Sequence, residues 1–192
     1  MKKVLAAVLL SAAVTTPALA GDLPVYGGVS LGSSSLGNSS SGTAVGFFAG
    51  YKLNKSQTPF MGDKGSLAIE GHYTTLGSDT YSSGFGGSTF SVTAKYSSIG
   101  VDAVALFPIA SVQHLSAFGK LGFASTSASI SCSGTGAFAG VGCAGVADPS
   151  TTGLVYGLGV QYDVDSKIGV RAGYQSYASD ASTIYAAALY NF

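Results

Sequence analysis

Apolar and polar residues alternate along most of the chain, which is the pattern of a β-strand with two unlike faces. The clearest run lies in residues 154–164, where every second position is apolar: Leu154, Tyr156, Leu158, Val160, Tyr162 and Val164. Similar runs recur, separated by clusters of Ser, Gly and Thr. They predict eight strands, at residues 23–31, 43–53, 66–76, 89–107, 114–126, 152–164, 167–177 and 182–192.

Charged residues are scarce. They make up 9% of the chain, far below the ~25% usual in soluble domains. A soluble protein with so few charges would tend to associate, whereas a surface that faces lipid does not need them. After the N-terminal segment the sequence contains no run of 18 apolar residues, which excludes a helical span. The pattern therefore favours an all-β fold, an eight-stranded antiparallel transmembrane up-and-down β-barrel. A soluble β-sandwich or a secreted β-barrel is the alternative, since both also alternate.

The N-terminal segment directs the chain out of the cytoplasm. Two lysines at positions 2 and 3 precede an apolar run at residues 4–14, and the A-x-A sequence that ends at Ala20 is a small-residue cleavage site. This order is the pattern of a secretory signal peptide. We expect residues 1–20 to be removed after Ala20, and residues 21–192 to form one barrel domain.

The predicted strands also indicate the direction of the chain. If the N-terminus is periplasmic, the even-numbered strands run inward and should end in the aromatic girdle of the inner interface. They do end in aromatic residues: Tyr51, Phe107, Tyr162 and the pair Tyr190 and Phe192. The outer connections are then long, at residues 32–42, 77–88 and 127–151, except for a short one at 178–181. The inner ones are short, at 108–113 and 165–166, except for a longer connection at 54–65.

The last two predicted strands carry recognisable motifs. Residues 184–192 read IYAAALYNF, and residues 168–174 read IGVRAGY. The first segment resembles the C-terminal strand of outer-membrane β-barrel proteins. The second is similar to the GxRxGY segment of small barrels of the OmpA-like, OmpX-like and opacity-protein kinds. The resemblance implies a place in the outer membrane of a Gram-negative bacterium, among outer-membrane lipid and lipopolysaccharide. It also implies that the barrel insertion machinery reads Tyr190 and Phe192.

The polar face of the strands is predicted to line the barrel lumen. An eight-stranded barrel is just wide enough for side chains to fill it, and charges buried there should be paired. If position 107 faces position 115 across the inner turn, Asp102 faces Lys120. Glu70 and Arg171 lie on opposite sides of the ring, where long side chains can meet across the axis. We therefore expect an ionic plug of Glu70, Arg171, Asp102, Lys120 and His72, with Lys52, Gln161 and Gln175 on the same face.

Cys132 and Cys143 both lie in the predicted third outer loop. Two cysteines in an exported protein normally pair, and closing so short a loop stabilises a fold by roughly 3 kcal/mol in the chain-entropy model. We expect a disulfide between them. Two cysteines without a nearby His or acidic residue are too few for a metal site, so no metal or cofactor is predicted.

Several functional classes are open. Without Lys2 and Lys3 the chain has seven basic and nine acidic side chains, a balance that argues against nucleic-acid binding. We predict a monomeric barrel with a structural or adhesin-like surface-interaction role, whose outer loops meet host or surface ligands. A narrow channel for small or hydrophobic solutes is the alternative. A lipid-modifying enzyme is a second alternative. Neither His72 nor His114 lies in a motif of such enzymes, so we expect no enzymatic activity.

Overall fold

The computed structural model describes residues 24–36, 40–54, 57–59, 65–140, 143, 148–177 and 181–192. The predicted signal peptide, residues 1–20, lies outside the described residues. Strands make up most of the described part. They are β1 (Val25–Leu36), β2 (Ser40–Lys52), β3 (Ser66–Phe85), β4 (Ser88–Pro108), β5 (Leu115–Gly134), β6 (Ser150–Asp163), β7 (Ile168–Tyr177) and β8 (Ala181–Asn191).

The eight strands form one closed ring. Each strand pairs antiparallel with the next, and β8 returns to pair with β1 from Tyr26 to Leu36. Closure gives every strand of the ring a partner on both sides, which a sheet in hydrocarbon requires because lipid offers no hydrogen bonds. The eight-stranded antiparallel barrel that the alternation predicts is confirmed.

The outward face of the ring is apolar. Side chains at its middle level are more than half exposed: Leu31, Ile99, Phe123, Leu158 and Ile184. Aromatic rings lie at the inner ends of the even-numbered strands, as predicted, and they too face outward: Tyr51, Phe107, Tyr162 and Tyr190. An apolar band with an aromatic girdle is the surface that a barrel presents to lipid.

β3 and β4 continue far beyond the point where the sequence predicts their ends. The expectation of a long outer loop at residues 77–88 is wrong, because the two strands stay paired as far as Phe85 and Ser88. Gly86 and Gly87 make the turn, with φ angles of 59° and 78°. Two positive φ angles give the two-residue turn that matches the twist of a hairpin. Alternating Ser, Thr and aromatic residues suit a strand as well as a loop, so composition alone was misleading here.

Three strands stand out from the ring. β3, β4 and β5 have 20, 21 and 20 residues, about twice the 9–11 that cross a membrane. Residues 77–85, 88–97 and 127–134 therefore form a three-stranded sheet outside the membrane, which we call the outer sheet. The first part of the predicted loop at 127–151 is thus strand rather than loop.

The third outer connection folds over one face of the outer sheet. A 3-10 helix, Gly136–Phe138, brings the ring of Phe138 to 6.2 Å from that of Phe90. The predicted disulfide between Cys132 and Cys143 joins this connection to β5. The described part of the connection is therefore held against the sheet. Within the described ranges, no helix has the length and apolar character needed to cross a membrane.

The register between β4 and β5 differs from the prediction by two residues. Asp102 faces Gly122 and Lys120 faces Val104, so the predicted pairing of Asp102 with Lys120 across the two strands is wrong. The inner turn begins one residue later than expected, since β4 continues to Pro108 and a backbone hydrogen bond of 2.8 Å joins Ile109 to Leu115. A shift of two leaves every side chain on its predicted face, because the period of a strand is two.

The tight inner turn between β6 and β7 is held by one carboxylate. The backbone N–H groups of Ile168 and Lys167 both donate to Oδ1 of Asp165 at 2.7 Å. These two hydrogen bonds favour the ionised form and hold the pKa of Asp165 below its usual range. The short turn predicted at residues 165–166 therefore has a specific acceptor.

Replacing Asp165 with Ala should lower the melting temperature at neutral pH, because two backbone N–H groups lose their acceptor. The pKa of Asp165 is lower in the folded than in the unfolded protein. Its stabilisation is therefore complete above the unfolded pKa and is lost as the pH falls through the folded one. Thermal unfolding of wild type and Asp165→Ala between about pH 7 and about pH 2 measures this. Asp165→Asn, which keeps an acceptor oxygen but does not ionise, is the control; a difference that stays constant with pH would contradict the assignment.

Candidate functional site

Five ionisable residues of the strands lie inside the barrel and are almost fully buried. Glu70 and Asp102 are 0% exposed, Arg171 3%, Lys120 6% and His72 7%. Ions removed from water to this extent are stable only when other charges or hydrogen bonds replace the water. The contacts among these side chains therefore determine what the lumen can do.

Glu70 is the centre of the largest network. Its Oε1 accepts from Nζ of Lys120, and its Oε2 accepts from Nη1 of Arg171 at 2.8 Å. The hydroxyl of Tyr26 donates to the same Oε2 at 2.8 Å. Three side chains from β1, β5 and β7 thus converge on one carboxylate of β3, and the network spans the lumen from wall to wall.

Arg171 extends this network to β6. Its Nε and Nη2 donate to Oε1 of Gln161 at 3.1 and 2.9 Å, and Nε2 of Gln161 donates to Asp163 at 2.8 Å. The guanidinium also lies 4.9 Å from the ring centre of Phe118 and 5.3 Å from that of Phe48. Aromatic faces attract a desolvated cation, so the side chain of Arg171 is fixed on all sides.

Glycines of the lumen face make room for these rings. Gly50 faces Tyr26 across β1 and β2, and a Cβ atom at Gly50 would lie 2.5 Å from Cε1 of Tyr26. Gly159 and Gly173 face each other across β6 and β7, and a Cβ atom at either would lie 2.8 Å from the ring of Phe118. The rings therefore lie flat against bare stretches of the wall and contact the cations.

His72 and Asp102 form a second layer on the outer side of Glu70. Nδ1 of His72 lies 2.9 Å from Oδ2 of Asp102. The geometry is not that of a hydrogen bond, and among the described groups neither side chain has a hydrogen-bond partner. The histidine therefore contacts a carboxylate rather than a nucleophilic hydroxyl. In the described part of the chain, no group of three His, Cys, Asp or Glu side chains is placed to hold a metal ion.

An apolar cluster lies farther out. Its buried members are Leu76, Ala124, Val155, Tyr177 and Ala181. Leu76 sits in a β-bulge, where the pairing of β3 and β4 skips one residue, and its carbonyl accepts from the hydroxyl of Ser34 at 2.5 Å. The lumen is thus layered, with an ionic network toward the inner side, then the His72–Asp102 pair, then apolar side chains beneath the outer sheet.

The structure divides the predicted lumen residues into three groups. Glu70, Lys120 and Arg171 come together in one network, and His72 and Asp102 lie in the next layer. Lys52 is exposed at the inner rim, where its Nζ donates to the side chain of Asn191 at 2.8 Å.

The network also contains four aromatic residues that were not predicted from the sequence: Tyr26, Phe48, Phe118 and Tyr185. All four occupy lumen-side positions of their strands. A ring on the lumen face opposite a glycine was the signal that could have identified Tyr26 and Phe118 in advance.

The two C-terminal aromatic residues lie where β8 pairs with β1 and closes the barrel. The rings of Tyr190 and Phe192 are 5.2 Å apart, and the backbone N–H of Phe192 donates to Val25 of β1 at 3.0 Å. Their recognition by the insertion machinery stays a prediction.

Solved structures share this architecture. The chain is similar to Ail, the attachment invasion locus protein of Yersinia pestis, in complex with the heparin analogue sucrose octasulfate. The identity is 16%, over 88% of this chain and 96% of Ail, with a TM-score of 0.54. A second structure of Ail gives 20% identity over the same shares and a TM-score of 0.51. Neisserial surface protein A gives 16% identity over 88% and 96%, with a TM-score of 0.47.

At these identities the likeness to Ail concerns the fold. No curated protein matches the sequence at a significant level. The family model described as the outer membrane protein beta-barrel domain matches residues 6–192. The chain therefore belongs to the outer membrane protein beta-barrel family and is an integral protein of the outer membrane of a Gram-negative bacterium.

Proposed function

We propose that residues 21–192 form a closed structural barrel, shut by an ionic plug and carrying an outer sheet that makes surface contacts. The observation that supports this most directly is the network around Glu70. It ties together side chains of β1, β3, β5, β6 and β7 across the lumen. A barrel of eight strands is filled by such side chains, whereas a general diffusion channel needs about 16 strands.

The charges of the plug balance. Glu70 and Asp102 supply two negative charges, and Lys120 and Arg171 supply two positive ones. A set of charges that balance one another costs far less to bury than separate ions would. Opening a path would require these contacts to break within a narrow lumen. The arrangement therefore favours a permanently closed state.

The surface role is supported by the shape and chemistry of the outer sheet. Tyr81 is 75% exposed and Phe85 is 88% exposed, both on the part of β3 that lies in the outer sheet, and Phe85 is next to the turn at Gly86 and Gly87. The crystallised complex of Ail contains a polyanionic heparin analogue. Among the described outer residues of this chain, Lys95 is the one basic side chain, and two residues, Asp79 and Asp148, are acidic. An uncharged partner that packs on aromatic rings fits this surface better than a polyanion does.

A narrow polar path is the second candidate. Buried polar atoms on the lumen face of β7 and β8 have no hydrogen-bond partner among the described groups: Nε2 of Gln175, Oγ1 of Thr183 and the hydroxyl of Tyr185. Buried groups of this kind normally bind protein or ordered water. A hydrated layer above the plug would provide part of a conduction path, interrupted at Glu70.

Replacing Glu70 with Gln should destabilise the barrel by about 3–5 kcal/mol, the usual cost of removing one partner from a buried charge pair. The loss should exceed that of Arg171→Ala, because Glu70→Gln leaves two cations without their anion, whereas Arg171→Ala leaves Glu70 bonded to Lys120. Urea unfolding of the barrel in lipid vesicles measures both. Lys167→Ala, at an exposed inner turn, is the matched control. Equal stability of wild type and Glu70→Gln would contradict the plug.

The wild-type barrel should show no discrete conductance in planar bilayers, because the plug fills the lumen. If wild type shows discrete current steps, and if the steps of Arg171→Ala are larger, the results would favour the channel over the closed barrel.

Replacing both Tyr81 and Phe85 with Ser should reduce the attachment of producing cells to uncharged surfaces severalfold, because the exposed rings supply the apolar contact. The melting temperature should not change, since both side chains lie outside the ring. The double variant Thr80→Ala, Ser82→Ala changes the opposite face of the same strand and serves as the control. Unaltered attachment by the Tyr81 and Phe85 variant, or an equal loss in the control, would argue against the proposed contact.

A further inference from the structure

The outer sheet has two edges, and the described part of the chain covers one of them. Beside β5, the backbone N–H of Ala128 donates to the carbonyl of Pro149 at 3.0 Å, and that of Ile130 donates to Oδ1 of Asp148 at 3.1 Å. Beside β3, the pairing with β2 ends at Thr75. From residue 78 to residue 85, β4 is the one described partner of β3. This part of β3 is therefore an open edge strand.

The backbone groups that point to the open edge can be identified. In an antiparallel pair, the N–H and C=O groups of successive residues point alternately toward the partner strand and away from it. Thr89 directs both of its groups to Thr135 on the side of β5, since its carbonyl accepts a backbone hydrogen bond of 2.8 Å and its N–H donates one of 3.2 Å. Its partner Gly84 therefore directs its own groups to the open edge. The same holds for Ser82 and Thr80, two and four residues before Gly84.

The open edge lacks the features that usually prevent further strand pairing. Exposed edge strands are commonly protected by Lys, by Pro or by a bulge. Residues 78–85 read SDTYSSGF, without Pro or Lys, and Asp79 is their single charge. The bulge at Leu76 lies before this segment, where β3 leaves β2. The segment can therefore accept another strand.

The segment is complementary to a second copy of itself. In an antiparallel pair centred on Ser82, the Ser82 residues of the two copies face each other, and Thr80 of each copy faces Gly84 of the other. These are the residues whose backbone groups point to the edge. The register therefore gives three hydrogen-bonded pairs with two bonds each, about six backbone hydrogen bonds.

The same register brings the exposed aromatic rings together. Tyr81 and Phe85 point to one face of β3 and are 75% and 88% exposed. Across the pair, Tyr81 of one copy lies diagonally opposite both Tyr81 and Phe85 of the other, which is within reach of aromatic side chains. Asp79 of each copy faces Phe85 of the other, so the two carboxylates stay roughly 20 Å apart along the strands. The pair thus buries the rings without opposing the charges.

The direction of β3 determines where the second copy lies. β3 runs outward from the membrane, so an antiparallel partner must run toward that membrane. In a neighbouring barrel of the same membrane β3 also runs outward, at a tilt of about 35–45°, and cannot supply such a partner. In a barrel held by a facing membrane it runs in the required direction.

We infer that the open edge of β3 pairs with the same edge of a second copy in a facing outer membrane, which joins two outer sheets into one. The inference rests on the proposed surface role of the outer sheet and names its partner. A single contact of this size is weak. Many copies on each of two facing surfaces bind with avidity, so the pairing suits adhesion between cells of the same kind.

Clustering of lipid vesicles that carry the purified barrel tests this by light scattering. Wild-type vesicles should cluster, and Ser82→Pro vesicles should scatter as protein-free vesicles do. Proline removes the N–H at the centre of the pair but no hydrogen bond to β4, and it is tolerated on the open side of an edge strand. The melting temperature should therefore not change. Ser82→Ala keeps the backbone N–H and is the matched control, which should cluster as wild type does.

A charge exchange shows whether the partner is a second copy. Ser82→Lys vesicles should not cluster with one another, because like charges would face each other across the pair. Ser82→Glu vesicles should also stay dispersed. A mixture of the two should cluster at least as strongly as wild type, because opposite charges then meet. This arm does not depend on the folding of Ser82→Pro.

Three outcomes would overturn the inference: wild-type vesicles that stay dispersed, Ser82→Pro vesicles that cluster as wild type does, or a mixture of Ser82→Lys and Ser82→Glu vesicles that stays dispersed. Ser82→Pro leaves both rings of Tyr81 and Phe85 in place, so attachment of producing cells to uncharged surfaces should be retained. The pairing of copies and the surface contact can therefore fail separately.

Discussion

The carboxylate of Glu70 is the contact on which the interior depends. It is fully buried and lies opposite Asp102 across β3 and β4, so two acids share one patch of wall inside a narrow tube. Such a pair is stable only if cations reach it. Lys120 comes from β5, and Arg171 reaches Glu70 from the far side of the ring. The same contacts neutralise the patch and fix the distance between opposite walls.

The cations have room in the lumen because aromatic side chains lie next to glycine residues of neighbouring strands. Arg171 crosses the barrel because Gly159 and Gly173 leave space for Phe118 to lie against the wall, where its face meets the guanidinium at 4.9 Å. A larger residue at either glycine would force that ring toward the axis. The high glycine content of the inward face is thus a packing requirement of the network.

The sequence could predict the barrel because alternation has a physical cause that acts at every strand, namely lipid on one side and a narrow lumen on the other. It could also place Glu70, Lys120 and Arg171 on the lumen face, since successive side chains of a strand point alternately to the lumen and to the lipid. It could not predict the partner of Asp102, because the register depends on the residue at which the inner turn begins. It could not predict the outer sheet, because runs of Ser and Thr occur in loops as well as in strands. The turn at Gly86 and Gly87 depends on backbone φ angles, which the residue types do not determine.

The distribution of charge separates the inside of the molecule from its outer surface. Two of the few cations lie in the lumen, fully engaged with Glu70, while Lys95 stands on the outward face of the described outer part among hydroxyl groups. A protein that bound polyanions through its outer surface would need clustered basic residues there, and one that conducted ions would need mobile charges in the lumen. Here the charges of the lumen instead hold the barrel wall in place, and Lys95 lies on the outward face of the barrel. The exposed aromatic residues at the tip of the outer sheet remain available for contacts beyond the membrane.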